Sequence, residues 1–297
     1  MKTLITGALQ ATQADLQRLC RAGLEITLLE RETDPVAEPD RYEAVICNGL
    51  FQHNDISAFS HLKYLQLTSA GLDRVPADEI RSRGIALHHA AGVYAVPMAE
   101  WTVMRILEAF RNAGQLYRRQ QAQLWEKDRS WRELAGKTAC IVGFGAYGQA
   151  VARRLSSFGV NVTVVNRTWR ESPFMGRFYP LHELTAALSE ADVVILATAL
   201  TPETRHMIAA PQLSALRPGT VLVNAARGAL IDEAALCEAL AQGRLFAVLD
   251  VFETEPLPED SPLWHMENVL LSPHNSFVSE ENHRRLMDVV IKNLENR

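Results

Sequence analysis

Short β-rich runs alternate with helical patterns along most of the chain, and this alternation restricts its possible folds more than any other feature. The first series has strand candidates at residues 3–6, 25–29, 44–47, 64–67 and 85–88. A second series of six candidates begins near Lys137, at residues 138–142, 160–165, 193–197, 221–224, 246–250 and 269–271. Strands separated by helices pair in parallel, so we expect two α/β units, the second with a doubly wound sheet.

Composition narrows the function classes. Over 297 residues, 47% are hydrophobic and 22% charged, which is typical of a folded protein of about two domains. A net charge of −5 and a pI near 6.0 argue against a nucleic-acid partner. The four cysteines lie in apolar contexts without metal-ligand spacing, so we expect reduced core thiols and no metal. A short apolar run at the N-terminus and no 18-residue apolar stretch predict a cytoplasmic protein without a membrane partner.

Helix signals are clear in three places. Thr12 with Asp15 predicts a capping box, and Asp232 predicts a second N-cap. Between the two series, residues 98–126 lack proline and carry apolar side chains at helical spacing, which predicts one or two long helices joining the domains. The polar side of this segment is either a solvated face or a subunit contact, and the residues alone favour the solvated face.

A glycine-rich motif follows the first strand of the second series. Gly143, Gly145 and Gly148 form a GxGxxG pattern between an apolar strand and a helix, with Tyr147 before the last glycine. This context is typical of dinucleotide binding: the glycines allow a tight turn, approach of a pyrophosphate and close helix packing. The alternative is a glycine-rich turn that binds no ligand.

The residues that follow the next strand bear on the choice of cofactor. An acidic residue usually occurs there and binds the adenosine ribose, but this chain has Asn166, Arg167 and Thr168. A 2′-phosphate would meet no negative charge at Asn166, and Arg167 offers it a bidentate cation. We therefore expect NADP(H) to be favoured over NAD(H). The alternative is a surface arginine that happens to follow a strand.

Three polar segments fall at the carboxyl ends of later strands, where open α/β sheets bind ligands. They are Asn224-Ala225-Ala226-Arg227-Gly228, Leu249-Asp250-Val251-Phe252-Glu253-Thr254-Glu255-Pro256 and Leu271-Ser272-Pro273-His274-Asn275. Carboxyl ends of parallel strands share one edge of the sheet, so the three segments can converge on one crevice.

With these segments the chain resembles the D-isomer-specific 2-hydroxyacid dehydrogenase family, and most closely its NADPH-dependent glyoxylate/hydroxypyruvate reductases. Beside the glycine motif, the matching pieces are Ser69-Ala70-Gly71-Leu72-Asp73, Thr201-Pro202-Glu203-Thr204, Ala226-Arg227-Gly228, Leu249-Asp250-Val251-Phe252, Glu255-Pro256 and Ser272-Pro273-His274. Tyr147 departs from the aliphatic residue usual in the family, so packing beneath the pyrophosphate is expected to differ.

The resemblance implies that Arg227, Glu255 and His274 are the catalytic residues. An imidazole can supply a proton near neutral pH, a carboxylate can orient it, and a guanidinium can bind a substrate carboxylate. Glu255 is preferred because the resemblance places the acid directly before proline, with Glu253 as the fallback. Asp250 either binds the nicotinamide carboxamide, as the resemblance implies, or caps its own loop.

Further binding residues follow from the same resemblance. The backbone N–H groups of Ala70 and Gly71 are expected to bind the substrate carboxylate, and Phe51 and Tyr94 to line the pocket for a small or moderately apolar 2-oxo acid. Ala225, Ala226 and Arg227 join the expected cofactor-binding residues.

The implied architecture is a pair of doubly wound parallel-sheet domains. A smaller, flavodoxin-like substrate domain would comprise residues 1–93 with 277–297, and a Rossmann nucleotide-binding domain residues 94–276. The active site would lie in the cleft between them, and the protein would be a homodimer. The expected function is reduction of a small 2-oxo acid to the D-2-hydroxy acid by NADPH. A dinucleotide-sensing binding protein without turnover is the alternative.

Overall fold

The computed structural model describes residues 1–296, and the chain divides into two compact units. One unit comprises Met1–Tyr94 together with the chain from Ser279 onward, and the other comprises Ala95–Val278. The assignment of substrate and nucleotide to particular units stays a prediction. Within the described residues, no helix combines the length and the apolar character needed to cross a membrane.

The strands form two parallel sheets in the described residues. The first sheet has the order β2-β1-β3-β4-β5 and the second the order β12-β11-β10-β9-β6-β7-β8. Their bounds are β1 Lys2–Thr6, β2 Glu25–Leu29, β3 Ala44–Cys47, β4 Tyr64–Leu67, β5 Ala86–His88, β6 Thr138–Val142, β7 Asn161–Asn166, β8 Arg177–Pro180, β9 Val193–Leu196, β10 Thr220–Asn224, β11 Leu245–Leu249 and β12 Val269–Leu271. The predicted fold class, two parallel-sheet α/β units, is confirmed.

Helices connect the strands, as parallel pairing requires. Their bounds are α1 Gln13–Arg21, α2 Ala77–Ser82, α3 Ala95–Phe110, α4 Ala113–Gln121, α5 Ala146–Ser156, α6 Leu184–Ser189, α7 Ala210–Ala215, α8 Glu233–Ala241 and α9 Asn282–Glu295. Both predicted N-caps are present: Thr12 and Asp15 form a capping box on α1, and Asp232 accepts a hydrogen bond from the Ala235 N–H on α8.

Apolar side chains cover both faces of each sheet. In the first unit, Ile5 and Ile46 pack on one face with Met287 of α9, while Leu4 and Leu65 pack on the other. The central strands of both sheets are buried throughout, for example β3 and β9. Continuous apolar runs of this kind are expected for parallel strands buried on both sides.

The structure corrects the strand count of the second series. That sheet has seven strands in the described residues instead of the expected six, because β8 was not predicted. β8 pairs only with β7, so it is an edge strand, and it carries an exposed Arg177 and a terminal Pro180. Polar residues and proline are tolerated at a sheet edge, and they hide the strand from a search for apolar runs.

The long helical segment is two helices, one of the two predicted possibilities. α3 begins at Ala95, earlier than expected, since Pro97 falls in its first turn, where a missing N–H breaks no helical hydrogen bond. Asn112, with a φ of +50°, separates α3 from α4.

The expectation of four core thiols is wrong for Cys20, whereas Cys237 packs against the apolar core of the second unit. Cys47 and Cys140 are buried, but Cys237 is half-buried and Cys20 is exposed. Cys20 follows the buried Leu19 on α1 and lies outside the apolar stripe of that helix.

Candidate active site

The glycine turn after β6 is tightly packed at two of its glycines and open at the third. Gly143 has a φ of +99°, and a Cβ there would lie 2.5 Å from the Ala197 carbonyl oxygen. A Cβ on Gly148 would lie 2.3 Å from the Gly143 carbonyl oxygen. At Gly145, in contrast, a Cβ would meet no atom within 4 Å. The turn is therefore in close contact with neighbouring backbone at Gly143 and Gly148 but open at Gly145. Gly145 lies at the start of α5, where backbone N–H groups can bind an anion.

Tyr147 is anchored inside the second unit. Its hydroxyl lies 2.7 Å from the Thr102 Oγ1 of α3, and Thr102 also donates to the Met98 carbonyl oxygen at 2.8 Å. Burial raises the pKa of the Tyr147 phenol above its ordinary value. The hydroxyl of Tyr147 is therefore already engaged inside the unit, and a cofactor contact at this position stays a prediction.

The segment after β7 presents a cation beside a carboxylate. The Asn166 Nδ2 donates to the Thr168 carbonyl oxygen at 2.9 Å. A hydrogen bond from Thr201 and, more weakly, the charge of Arg167 hold the pKa of Glu203 below its ordinary value. The charge of Glu203 therefore acts weakly on the surroundings of Arg167.

The loop after β10 is fixed by Asn224, which is 1% exposed. The Asn224 Oδ1 accepts from the Ala226 N–H at 3.1 Å, and its Nδ2 donates to the Arg227 carbonyl oxygen at 2.8 Å. This clamp orders the Ala225–Arg227 backbone before Gly228. A Cβ on Gly228 would lie 1.9 Å from the Phe252 carbonyl carbon, so this loop packs directly on the loop after β11.

Asp250 holds the loop that carries His274. Its carboxylate is fully buried and accepts from the Ser272 hydroxyl, the Asn275 N–H at 2.8 Å and the Ser276 N–H at 2.9 Å. Its carbonyl oxygen also accepts from the His274 N–H at 2.8 Å. These contacts correspond to the loop-capping alternative for Asp250, and a role toward nicotinamide stays a prediction.

His274 and Glu255 form a pair. The His274 Nδ1 lies 2.7 Å from the Glu255 Oε2, and the Glu255 Oε1 accepts from the Phe252 N–H at 3.0 Å. A carboxylate only accepts hydrogen bonds, so this contact places a proton on Nδ1 and directs Nε2 away from Glu255. The side chains are 32% and 36% exposed, which leaves the pair accessible to a substrate. His274 also has a φ of +50°, a strained conformation that is frequent at functional sites.

Glu253, the fallback acid, faces elsewhere. Its carboxylate accepts from the Glu233 N–H at 3.0 Å and lies 3.0 Å from the His206 Nε2. The structure therefore brings Glu255, and not Glu253, to His274.

The remaining predicted residues lie in the first unit. Ala70 is exposed in the loop after β4, where the Ser69 hydroxyl donates to the Gly71 carbonyl oxygen at 3.0 Å. The Phe51 ring packs edge-on against Phe59, with 5.3 Å between centroids. Tyr94 donates its hydroxyl to the Thr68 carbonyl oxygen.

Sequence reasoning missed the residues that hold these loops. Asn224 and Ser272 lie inside the polar segments at the strand ends, but the sequence did not indicate a function for either residue or for Thr102. A polar residue at the carboxyl end of a buried strand was the available signal for Asn224. Thr102 gives no such signal, because its partner Tyr147 lies 45 residues away.

A parallel sheet with a glycine turn and a histidine–carboxylate pair at its carboxyl edge defines a nucleotide-dependent oxidoreductase. The family described as the D-isomer specific 2-hydroxyacid dehydrogenase NAD-binding domain matches residues 103–276. The chain belongs to this family, and its membership does not favour the alternative of a cofactor sensor without turnover.

Three relatives illustrate the range of the family. The glyoxylate reductase of Thermofilum pendens is 34% identical over 80% of this chain and 73% of its own length. The D-3-phosphoglycerate dehydrogenase of Methanocaldococcus jannaschii is 35% identical over 74% of this chain, but the match spans only 42% of that relative. The crystal structure of the NADPH-dependent glyoxylate/hydroxypyruvate reductase of Sinorhizobium meliloti with NADP and malonate has a TM-score of 0.83, with 30% identity over 99% of this chain and 92% of that one.

Proposed function

We propose that this protein reduces a small 2-oxo acid of the glyoxylate or hydroxypyruvate type to the D-2-hydroxy acid, with NADPH as the reductant. One observation carries the proposal: the 2.7 Å contact between His274 and Glu255 at the same sheet edge as the open glycine turn. The names of the relatives from Thermofilum pendens and Sinorhizobium meliloti support the substrate class.

The reaction needs a hydride on the carbonyl carbon and a proton on the carbonyl oxygen. Bound NADPH supplies the hydride. Glu255 holds the Nδ1 side of the His274 ring, so Nε2 donates the proton to the oxygen as the hydroxy acid forms. Arg227 binds the substrate carboxylate and polarises the carbonyl. The expected role of the Ala70 and Gly71 N–H groups in carboxylate binding stays a prediction.

The preference for NADPH rests on Arg167. A guanidinium suits a 2′-phosphate, and Asn166 does not repel it. The nearby Glu203 weakens this attraction. Arg167→Ala is therefore expected to reduce kcat/KM for NADPH by about tenfold while that for NADH changes little, and Glu203→Gln to raise the ratio of NADPH to NADH use. Equal or better use of NADH by the wild type would contradict the preference.

Loss of NADPH absorbance with a panel of 2-oxo acids tests the reaction. We expect turnover with glyoxylate and hydroxypyruvate, and loss of turnover but retained NADPH binding in His274→Gln. The matched control is His265→Gln, because His265 lies on a short turn before β12 and outside the proposed site. Turnover restricted to phosphorylated acids would contradict the substrate class.

A homodimer is part of the proposal. In the second unit, an apolar groove of about 650 Å³ runs between α3 and α5, lined by Val103, Met104, Leu107 and Phe158 among others. A second copy of this chain would cover it, and Met104→Glu is expected to weaken association. Sedimentation as a monomer at every concentration would contradict the dimer. The cytoplasmic location stays a prediction.

A further inference from the structure

The first unit contains a polar cluster that the proposed reaction does not use. It lies where the sheet order β2-β1-β3-β4-β5 reverses, between β1 and β3. In open α/β sheets the crevice at this reversal point, at the carboxyl ends of the strands, is where ligands bind. In this protein a side chain of the same chain, Glu32, fills it.

The Glu32 carboxylate is bound as a free anion would be. Its Oε1 accepts from the Thr6 hydroxyl at 2.7 Å and from the Asn48 N–H at 2.6 Å. Its Oε2 accepts from the Gly49 N–H at 2.6 Å. Two successive N–H groups that converge on one carboxylate form an anion-binding nest, and such short distances are typical of charge-assisted hydrogen bonds. Glu32 therefore ties the loop after β2 to the loop after β3.

Asn54 ties the same two segments together a second time. Its Nδ2 donates to the carbonyl oxygens of Glu32 and Asp34, each at 3.2 Å. Its Oδ1 accepts from the Val36 N–H at 3.1 Å. The segment 48–54 is thus held at both ends by the segment 32–36, and Phe51 lies between the two attachments.

The loop after β1 completes the cluster. A Cβ on Gly7 would lie 2.3 Å from the carbonyl oxygen of Glu30, so only glycine allows this approach. Thr6, directly before it, donates to Glu32. Three loops at the carboxyl ends of β1, β2 and β3 therefore pack around a single carboxylate.

We propose that Glu32 is a positioning residue that occupies an anion-binding crevice and thereby fixes the segment 48–54. Through this segment it fixes the position of Phe51. The inference rests on the proposed function and on the expectation, taken from the family resemblance, that Phe51 lines the pocket for the side chain of the substrate. It predicts that the effect of Glu32 depends on the group carried by the substrate's carbonyl carbon, because glyoxylate carries only a hydrogen there.

The first test compares Glu32→Gln with the matched control Glu30→Gln, which changes an exposed carboxylate two residues away. A glutamine oxygen can replace one carboxylate oxygen, but its NH₂ then faces a backbone donor. For 2-oxo acids with an alkyl side chain, we expect kcat/KM to fall about tenfold, mainly through KM, since one methylene in an apolar pocket changes selectivity by that order. For glyoxylate we expect less than a twofold change, and Glu30→Gln should match the wild type. An equal loss for every substrate would overturn the proposal.

The second test is chemical rescue. Glu32→Gly leaves the Thr6 hydroxyl and the two N–H groups facing a hole the size of the glutamate side chain, with room for a small carboxylate beside these donors. Added formate should refill it and restore the wild-type discrimination between alkyl 2-oxo acids and glyoxylate, whereas chloride at equal ionic strength should not. Rescue by both salts alike, or by neither, would count against a site built for a carboxylate.

Amide hydrogen exchange separates this inference from the proposed function. The N–H groups of Asn48 and Gly49 should exchange faster in Glu32→Gln and at the wild-type rate in Glu30→Gln, whether or not any substrate is turned over. Unchanged exchange would refute the positioning role. The wild-type protein could also fail to reduce any 2-oxo acid while Glu32→Gln shows faster exchange. That result would support Glu32 as the residue that holds the loop, but it would refute both its role in specificity and the proposed function.

Discussion

Replacing Asp250 by asparagine separates the two roles considered for this residue. The buried carboxylate accepts one hydroxyl and two N–H groups from the loop 272–276. An asparagine can keep its oxygen toward Ser272 and Asn275, but its NH₂ then faces the N–H of Ser276. One buried donor loses its partner, at about 1–3 kcal/mol, and two hydrogen bonds lose their charge assistance, at about 1 kcal/mol each. Together these losses would destabilise the native position of the loop by about 3–5 kcal/mol.

The loop can relieve this strain by moving away from Asp250 while the sheet stays folded. His274 would move with it, and a displacement of about 1 Å at a reacting group lowers turnover by about a hundredfold. We therefore expect Asp250→Asn to lower kcat by about that factor, with a decrease in unfolding free energy smaller than the full 3–5 kcal/mol. The dissociation constant for NADPH should change by less than about threefold, or about 0.7 kcal/mol.

Four measurements check this prediction: steady-state turnover, NADPH titration by fluorescence, urea unfolding, and hydrogen exchange of the amides in the loop 272–276. Ser272→Ala is the matched control, because it removes one donor and leaves the carboxylate with both N–H groups. It should cost about 1 kcal/mol and little activity. If Asp250→Asn instead weakened NADPH binding strongly and left kcat and the exchange rates of the loop amides unchanged, the loop-holding argument would be refuted and direct contact with nicotinamide favoured.

Three further predictions concern packing and titration. Gly228→Ala puts a Cβ 1.9 Å from the Phe252 carbonyl carbon, so urea unfolding should show a loss of about 2–3 kcal/mol; an unchanged midpoint would contradict the close approach of the two loops. In the native protein a thiol reagent should modify the exposed Cys20 quickly and Cys140, whose pKa burial raises to about 12, only after denaturation, as mass spectrometry can show. Burial raises the pKa of Asp15, but hydrogen bonds from Thr12 and His283 outweigh this and lower it below 3.8. The stability that Asp15 contributes is therefore present above pH 3.8 and lost as the pH falls through the lower folded-state pKa, so Asp15→Asn should cost about 1–2 kcal/mol at neutral pH and nothing in strong acid.

Much of the fold follows from local sequence signals. The strands β2, β3 and β4 have the predicted bounds, because short runs rich in apolar residues end at polar or turn residues. The cap of α1 could be predicted because Thr12 and Asp15 are three residues apart. β8 could not, because an edge strand with one neighbour does not need an apolar run.

The catalytic residues of the proposed site could be predicted from the sequence, but the contacts that hold their loops could not. The family motif placed an acid before proline at Glu255, and the structure puts that acid beside His274. The loop contacts of Asp250 join residues 22 to 26 positions apart, and those of Glu32 join it to backbone N–H groups 16 and 17 positions away. The sequence does not show which backbone N–H groups bind a side chain, because every residue except proline carries a backbone N–H. Such contacts become visible only when the strands are placed side by side.

The helix α9 has a consequence for the order in which the protein is made. Its buried side chains, among them Met287, complete the core of the unit that begins at Met1, whereas Ala95–Val278 is continuous in the chain. A ribosome therefore delivers every residue of the continuous unit before the last helix of the first unit has emerged. During that interval Ile5 and Leu19 lack part of their apolar cover, so the nascent first unit exposes apolar side chains through which chains can associate.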